Sequence, residues 1–303
     1  MVSIVGIGAN VFDTLYSVDK YPNEDTKTCA KSVKECGGGP CATGLIAASK
    51  LGANCCFIGN YTDDSAGKFL KSDFEKYGVD TSYMTYKPGY NSFCSVLWLA
   101  SDTTSRTCVF FRGDVPPTEI DEKSAKAIVE AEILMVDGND MKAAIEGSKI
   151  AKANGTKVLY DAGGLYEGVE NLLPYADILI PSEEFALGHT KTDNVKDAAE
   201  ILFKKYSPEI VVITQGKKGG IIYDGKKIES YPAFLVDAVD SNGSGDVFHG
   251  AFAFAVINNM EYTKACIFSS AVSALKCTKI GAREGVPTYI ATIDFLNEHG
   301  VNL

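Results

Sequence analysis

The chain has 303 residues, of which 46% are hydrophobic and 22% charged, a composition typical of a folded globular protein and not of a disordered one. The net charge of -10 and the pI near 4.9 argue against a nucleic-acid or anionic-membrane surface, although a site for one small anion needs only a few local donors. No window approaches the roughly 18 uninterrupted apolar residues of a membrane span, and we expect neither a membrane partner nor a signal peptide.

Short apolar runs alternate with helical stretches along most of the chain. The predicted strands are Ser3–Gly6, Cys55–Gly59, Ile133–Val136, Lys157–Tyr160, Ile178–Ile180 and Ile210–Thr214. The predicted helices are Ala42–Leu51, Ala66–Tyr77, Asp246–Asn258, Glu261–Lys279 and Ile290–His299. Fully apolar short strands that alternate with helices indicate an α/β fold with a parallel sheet covered on both faces.

Two stretches, Thr26–Glu35 and Ser92–Arg112, interrupt this alternation because they lack helical periodicity and are rich in Thr, Ser, Val and Phe. The second is typical of a hairpin, with strands Ser92–Ala100 and Arg106–Arg112 around a turn at Ser101–Ser105. We therefore predict one α/β domain over residues 1–303 that carries a small β-sheet lid, formed by segments of about 11–36 and 88–114.

The cysteines and histidines form no metal-binding pattern. The nine cysteines include no CxxC pair and no zinc spacing, and Cys55 and Cys56 are adjacent in an apolar run. This usage predicts reduced core thiols and a cytoplasmic location. The three histidines are well separated, so we expect no histidine-based metal site.

Two common nucleotide-binding motifs are incomplete. After Gly6-Ile7-Gly8 the dinucleotide fingerprint requires a third glycine at position 11, where the chain has Val11. Gly39 and Gly44 have the spacing of a P-loop, but Leu45-Ile46 replaces the required Lys and Ser/Thr. Neither a dinucleotide-dependent dehydrogenase nor a P-loop enzyme is expected.

A more informative segment, Asp240–Gly250, places small residues directly before a helix. Gly243, Ser244 and Gly245 leave backbone N–H groups unobstructed at the positive end of the helix dipole, which suits charge on a transferring phosphoryl group. Asp246, in the first helical turn, is placed to accept a proton from a hydroxyl held beside that anion site. The alternative is a simple loop followed by an acidic residue that favours the helix start.

A second glycine-rich cluster, Gly37–Gly44, leads into the first predicted helix. Glycines let the backbone approach a ligand closely, and Thr43 adds a hydroxyl. The alternative is a flexible loop before a helix.

Together these segments resemble the two signatures of the PfkB/ribokinase family of carbohydrate kinases. The amino-terminal signature is matched by Gly38-Gly39, Leu51-Gly52, Ile58-Gly59 and Asp63-Asp64-x-x-Gly67. The segment Asp240 to Gly250 resembles the carboxy-terminal signature, D-x-x-G-A-G-D, with Ser244 in place of its alanine. The resemblance covers Gly6 to about Pro287 and implies a ribokinase-like three-layer αβα sandwich with a mostly parallel sheet and a β-sheet lid.

The resemblance also implies roles for individual residues on the substrate side. Asp246 would be the catalytic base and Gly243–Gly245 the anion hole. Asp13, interpreted as the end of the first strand, would bind sugar hydroxyls. The other implied substrate-binding residues are Gly38, Gly39, Thr43, where the family usually has Asn, and Arg112, which suits an acidic sugar.

On the nucleotide side, Thr214, Gly216 and Gly219 resemble the family's T-x-G-x-x-G loop, which is equally consistent with a turn between strands. The family pattern N-x-x-E is broken because Ser182 and Phe185 occupy its ends. We therefore assign the carboxylate that orients magnesium-bound water to Glu183 or Glu184, with solvated charges at a helix start as the alternative. The remaining implied pair, Asp240 and Asn242, falls where some members bind a monovalent cation such as K⁺, with Gly281–Gly285 as the second half of that site.

The expected function is ATP- and Mg²⁺-dependent phosphorylation of a small sugar. Val18–Asp25 looks like the ketohexokinase and fructokinase branch, and Pro40 replaces a basic residue that phosphosugar kinases carry, so an unphosphorylated fructose-, ribose- or ketodeoxy-sugar-acid-like acceptor is expected. The alternatives are a nucleoside kinase of the same fold and a catalytically silent sugar- or nucleotide-binding regulator. The exposed edge of the lid predicts a homodimer formed through the β-lid.

Overall fold

A computed structural model describes residues 2–103 and 105–303 of the chain, so Thr104 in the predicted turn Ser101–Ser105 lies outside the described residues. Among the described residues the strands are β1 (Ile4–Ile7), β2 (Val11–Val18), β3 (Ser32–Gly38), β4 (Cys55–Phe57), β5 (Gly59–Tyr61), β6 (Met84–Tyr86), β7 (Cys94–Ala100), β8 (Ser105–Phe111), β9 (Ile133–Val136), β10 (Lys157–Ala162), β11 (Ile178–Pro181), β12 (Ile210–Thr214), β13 (Gly220–Tyr223) and β14 (Ile228–Tyr231). The helices are α1 (Pro40–Leu51), α2 (Ser65–Lys76), α3 (Glu122–Glu130), α4 (Met141–Asn154), α5 (Val169–Leu172), α6 (Glu183–Thr190), α7 (Val195–Tyr206), α8 (Ser244–Ile257), α9 (Tyr262–Cys277) and α10 (Tyr289–Glu298).

An eight-stranded sheet in the order β14-β13-β12-β11-β10-β9-β1-β4 forms the centre of the described chain. It is parallel from β4 to β12, as the apolar runs predicted, and antiparallel only where β13 and β14 extend it. Neither strand was predicted from the sequence; β14, at the edge, has a weak signal because it carries Glu229 and Ser230 within a short, half-exposed segment. The predicted strand Cys55–Gly59 ends at Phe57, and Gly59 begins β5 of a separate two-stranded sheet.

Helices cover both faces of the large sheet, because alternate residues of each strand enter two different cores. Ile4 and Met135 pack with residues of α1, α8 and α9 on one face. Val5 and Leu134 pack with residues of α3, α4 and α7 on the other. The predicted three-layer αβα sandwich with a mostly parallel central sheet is confirmed.

A second sheet of four strands, in the order β3-β2-β7-β8, stands apart from the large one. Its β7–β8 hairpin is antiparallel and pairs Cys94 with Phe111 at one end and Ala100 with Ser105 at the other, close to the predicted bounds. The strand expected within Thr26–Glu35 begins only at Ser32 and continues to Gly38.

One placement in the sequence analysis was wrong. Asp13 does not end the first strand, because Gly8, Ala9 and Asn10 interrupt the strand after Ile7 and a new strand, β2, starts at Val11. Asp13 therefore belongs to the second sheet, where it pairs with Cys36 of β3 and Ser95 of β7.

The cysteines are free thiols, and Cys36, Cys41, Cys55, Cys56 and Cys266 are buried. Cys29 and Cys108 are exposed, which corrects the expectation that all nine are core thiols. None of the described helices combines the length and the apolar character that crossing a bilayer requires.

Helices α1 and α8 approach each other so closely that their contact requires glycine. A Cβ added to Gly250 would lie 1.9 Å from the carbonyl oxygen of Gly44, where no side-chain atom fits. Gly250 lies in the buried stretch of α8, so the contact is backbone against backbone. The separation of the two helices is therefore set without any side chain between them.

We expect Gly250→Ala to lower the free energy of unfolding by about 3 kcal/mol, since the backbone of α1 must move to admit one methyl group. Gly188→Ala in α6 is the matched control, because its added Cβ would meet only the flexible end of Leu165, at 2.7 Å. The control should be neutral or stabilised by up to about 1 kcal/mol, since alanine favours a helix interior over glycine. Urea unfolding checks both, and equal stability of the two variants would contradict the close approach.

Candidate active site

Three aspartates converge at the carboxyl ends of parallel strands, where the first turn of α8 meets the sheet. Asp137 directly follows β9, Asp161 lies near the end of β10, and Asp246 is in the first turn of α8. Their charges act on one another, since Asp137 and Asp246 both raise the pKa of Asp161. Sequence analysis identified only Asp246, although an acidic residue that closes an apolar strand was the signal for the other two.

The start of α8 presents free backbone donors. Gly243, at a φ of 74°, caps the helix without a side-chain hydrogen bond, and the amide of Ser244 donates to the Ser241 carbonyl at 3.2 Å. Among the described residues, the amides of Gly245 and Asp246 have no hydrogen-bond acceptor. The sequence-predicted segment Gly243–Gly245 therefore lies at a helix N-terminus with donors available to an anion.

Burial dominates the electrostatics of Asp246 and raises the pKa of its carboxyl, while the nearby charges of His249 and Arg106 act in the opposite direction. His249, one turn along α8, places Nδ1 2.6 Å from the Gly245 carbonyl and Nε2 3.0 Å from the Ile180 carbonyl. Carbonyl oxygens only accept, so the ring satisfies both when each nitrogen carries a proton. The Asp161 carboxylate, 3.2 Å from Nδ1, then supplies the counter-charge.

The second sheet brings Asp13 to the same cleft. Its Oδ1 accepts from the Ser95 hydroxyl at 2.6 Å, and its charge interacts with that of Asp246. Gly38 is required beside it, because an added Cβ would lie 2.0 Å from Asp13 Oδ2. Burial raises the pKa of Asp13 to about 6, against the opposing effects of the Ser95 hydrogen bond and of Arg283.

Two further predicted substrate residues lie at the start of α1. Gly39 caps the helix at a φ of 93°, and its added Cβ would lie 2.5 Å from the Ala9 carbonyl oxygen. Thr43 is fully buried, and its hydroxyl has no partner among the described residues. A buried hydroxyl normally has a partner, so Thr43 Oγ1 is an orphaned polar atom at the start of α1.

Arg112 extends from the end of β8 towards the strand ends of the large sheet. Its Nη1 donates to Asn139 Oδ1 at 3.1 Å. Its guanidinium carbon lies 5.5–5.7 Å from the ring centroids of Phe93, Phe110 and Tyr166. These contacts hold an exposed cation at the rim of the site.

The predicted nucleotide loop forms the turn between β12 and β13. Thr214 ends β12, and Gly216 and Gly219 both have positive φ. Gly219 is constrained further, since an added Cβ would lie 2.1 Å from the Tyr231 carbonyl oxygen. The segment is thus a turn between strands, as the alternative stated, and its use as a nucleotide loop stays a prediction.

Glu183 is attached to this loop, whereas Glu184 is exposed. Gln215 Nε2 donates to Glu183 Oε1 at 2.7 Å. Ser182 caps α6 by accepting from the Phe185 amide at 3.1 Å. Phe185 is buried in the core, where a glutamate would not fit the apolar surroundings. Across residues 2–103 and 105–303, no group of three or more His, Cys, Asp or Glu side chains is arranged to hold a metal ion.

Asp240 and Asn242 are bound by a residue that sequence analysis did not single out. The ammonium of Lys276 donates to the Asp240 carbonyl at 2.8 Å and to the Asn242 carbonyl. The Asp240 side chain accepts from the Gly281 amide at 2.8 Å.

Arg283, also missed, is buried and links distant segments. It donates to Asp73 at 2.6 Å, to Asn10 at 2.8 Å and to the Gly38 carbonyl. Neither Lys276 nor Arg283 belongs to a local motif, so their roles depend on contacts between residues far apart in the chain.

We expect Asp13→Asn to stabilise the protein at pH 8. Because the folded pKa is raised from 3.8 to about 6, the neutral carboxyl favours the folded state. That stability is fully present below pH 3.8 and is lost as the pH rises through 6, which amounts to about 1–3 kcal/mol. Urea unfolding at pH 4 and pH 8 checks this, with exposed Asp294→Asn as the control. A variant that is less stable than the native chain at both pH values would contradict the raised pKa.

Comparison with known proteins relates the chain to carbohydrate kinases. The model of the pfkB family carbohydrate kinases matches residues 1–289. The chain is 29% identical to the ribokinase of Haemophilus influenzae over 270 residues, covering 86% of this chain and 87% of that protein. It is also 29% identical to the 5-dehydro-2-deoxygluconokinase of Clostridium botulinum over 309 aligned positions, covering 93% and 91%.

Solved structures show the same fold. A crystal structure from Agrobacterium tumefaciens superimposes with a TM-score of 0.92 at 28% identity and covers 98% of each chain. The structure of Arabidopsis thaliana ribokinase complexed with ribose and ATP has a TM-score of 0.87 at 23% identity, covering 98% of this chain and 99% of that one.

Proposed function

Since the chain belongs to the pfkB family of carbohydrate kinases, we propose that it transfers the γ-phosphoryl group of ATP to a hydroxyl of a small unphosphorylated sugar. The observation that carries this proposal is the convergence of two sets of groups in one cleft. Free amides and Asp246 lie at the start of α8, and Asp13 and Gly38 lie opposite, close enough for the two carboxylates to interact.

The proposed reaction uses Asp246 as the base. A sugar hydroxyl oxygen attacks the γ-phosphorus, the bond from that phosphorus to the β-phosphate oxygen breaks, and ADP leaves. The hydroxyl proton passes to the Asp246 carboxylate, whose raised pKa makes it a better acceptor than an ordinary aspartate. The amides of Gly245 and Asp246 stabilise the charge on the transferring group, since positioning and electrostatics dominate phosphoryl transfer.

This site fits a magnesium ion that enters bound to the phosphates of ATP. The described residues hold no ready-made cluster for a metal, and Mg²⁺ commonly keeps several waters while it binds phosphates. When bound, the ion neutralises phosphate charge. We assign Glu183, which is fixed to the 214–219 turn, and Glu184 to hydrogen bonds with its water ligands.

The acceptor is proposed from the polar groups of the cleft. The Asp13 carboxylate accepts hydrogen bonds from sugar hydroxyls, and the unpartnered Thr43 hydroxyl provides one further contact. Ribokinase among the relatives supports a neutral sugar. The 5-dehydro-2-deoxygluconokinases support a sugar acid, whose carboxylate would find a cation in Arg112 at the rim.

We expect Asp246→Asn to lower kcat by roughly 100- to 10,000-fold while ATP binding persists, because the amide keeps the shape of the site but cannot take the proton. The measurement is ADP release with ribose, fructose, 5-dehydro-2-deoxygluconate and a nucleoside panel, beside calorimetry with ATP. Asp197→Asn, an exposed aspartate in the first turn of α7, is the matched control and should keep full activity.

Each result of the substrate panel supports a different function. If the sugar acid is turned over in preference to ribose and Arg112→Met abolishes that preference, Arg112 binds the carboxylate of the substrate. Turnover restricted to nucleosides supports the nucleoside-kinase alternative. Tight binding with no Asp246-dependent turnover of any compound contradicts the proposal and supports a silent regulator.

We further propose a homodimer formed through the second sheet. Val96 and Val109 pair directly across β7 and β8 and are 38% and 61% exposed. Strand alternation places them on the face opposite Asp13, so a partner that covers them leaves the cleft accessible. Exposed apolar edge strands are typical of interfaces.

Val109→Asp should therefore convert a dimer into a monomer in light scattering and sedimentation, because a carboxylate cannot be buried unpaired in an apolar interface. Val129→Asp is the control, since Val129 is also exposed, at 41%, but lies on α3, which packs on the large sheet. A native chain that sediments as a monomer, or a dimer that survives Val109→Asp, contradicts this interface.

A further inference from the structure

A buried lysine lies behind the start of α8. Lys276 is in the last turn of α9 and is 0% exposed, which is rare for a lysine unless its ammonium is paired. Its Nζ donates to the carbonyl oxygens of Asp240, at 2.8 Å, and Asn242, and lies 3.9 Å from the Asp240 carboxylate. The ammonium is therefore surrounded by oxygens of the segment that leads into the anion site.

This segment is fixed at several further points. Asp240 Oδ1 accepts from the Asn242 amide and Oδ2 from the Gly281 amide, each at 2.8 Å. One turn before Lys276 on α9, the Ser273 hydroxyl donates to the Ser244 carbonyl at 2.7 Å. Helix α9 thus holds both the loop and the first residue of α8.

Carbonyl oxygens are also the ligands that a potassium ion takes in proteins, and here a carboxylate adds a negative charge beside them. These oxygens do not fit an added ion, since the ammonium already bonds both carbonyls from a fully buried side chain. Burial lowers the pKa of Lys276, whereas the charges of Asp240 and Asp246 act in the opposite direction and favour the ammonium.

We infer that Lys276 is a built-in cation that takes the place of a monovalent metal ion and holds residues 240–244 so that the amides of Gly245 and Asp246 face the phosphoryl group. Lys276 is a positioning residue, since it acts through the loop and not on the substrate. Its kinetic consequence, independence from K⁺, rests on the proposed function. Its structural consequence, a cation site that the chain itself occupies, does not.

The first experiment uses the native protein. Its turnover and melting temperature are compared in KCl, NH₄Cl and choline chloride at equal ionic strength. We expect turnover to change by less than about twofold and the melting temperature to stay the same, because the site has no vacancy for an ion to fill. Activation by K⁺ on the order of tenfold or more would overturn the inference.

The second experiment opens the site. Lys276→Ala leaves space for an ion and water, whereas Lys276→Met fills the space with an apolar chain of similar length. We expect both to lower kcat on the order of 100-fold, the effect of losing one anion-hole donor. NH₄⁺ or K⁺ should restore turnover and raise the melting temperature of Lys276→Ala only. Lys264→Met, an exposed lysine of the same helix, should behave as the native chain.

The outcomes separate this inference from the proposed function. A folded Lys276→Ala that neither ion stabilises, or a Lys276→Met with native kcat, overturns the role of Lys276. Stabilisation of Lys276→Ala by NH₄⁺, together with a native protein that turns over no sugar, supports the cation site and contradicts the proposed function. If neither variant folds, the salt comparison on the native protein decides.

Discussion

The contact between α1 and α8 is the constraint on which the site depends. Both helices begin in loops of the cleft, α1 at Gly39 and α8 at Gly243, and they touch through Gly44 and Gly250 without a side chain between them. A Cβ on Gly44 would also lie 3.1 Å from the carbonyl oxygen of Asp246. Two rigid helices thus fix the distance from Gly38-Gly39 to the anion site, and helices are more precise supports than loops.

Under the proposed function, an acidic protein binds a polyphosphate because the phosphate and the sugar hydroxyl face different parts of the chain. The free amides at the start of α8 carry no net charge and are reinforced by the helix dipole. The carboxylates of Asp13 and Asp246 face the place proposed for a hydroxyl, and burial raises the pKa of each. Nearby positive charges reduce the cost of burying these acids, chiefly Arg283 for Asp13 and His249 and Arg106 for Asp246.

Sequence patterns predicted those features that depend on residues close together in the chain. The apolar runs gave the parallel strands, and the small residues before α8 gave the helix start and Asp246, since both depend on neighbours in sequence. The placement of Asp13 failed because three residues after Ile7 are enough to move the chain from one sheet to another. Asp137 had a local signal, the end of an apolar strand, that was not used.

Lys276 and Arg283 had no such signal, because their meaning comes from tertiary contacts. In the sequence, Lys276 looks like an ordinary basic residue in the last turn of a helix, a position that lysines favour for electrostatic reasons alone.

In the fold, Gly281 binds Asp240 while Arg283, two positions further, binds the Gly38 carbonyl. The segment Gly281–Arg283 therefore contacts both the loop before α8 and Gly38. These contacts align the two sides of the cleft before any ligand binds. The second sheet carries Asp13 and ends next to Arg112, and the hydrophobic cluster at its centre is small, with Leu15, Cys36 and Leu97 buried and Leu99 packed against them. Its position relative to the large sheet is consequently the least costly part of the site to change, since few buried apolar contacts resist a movement there.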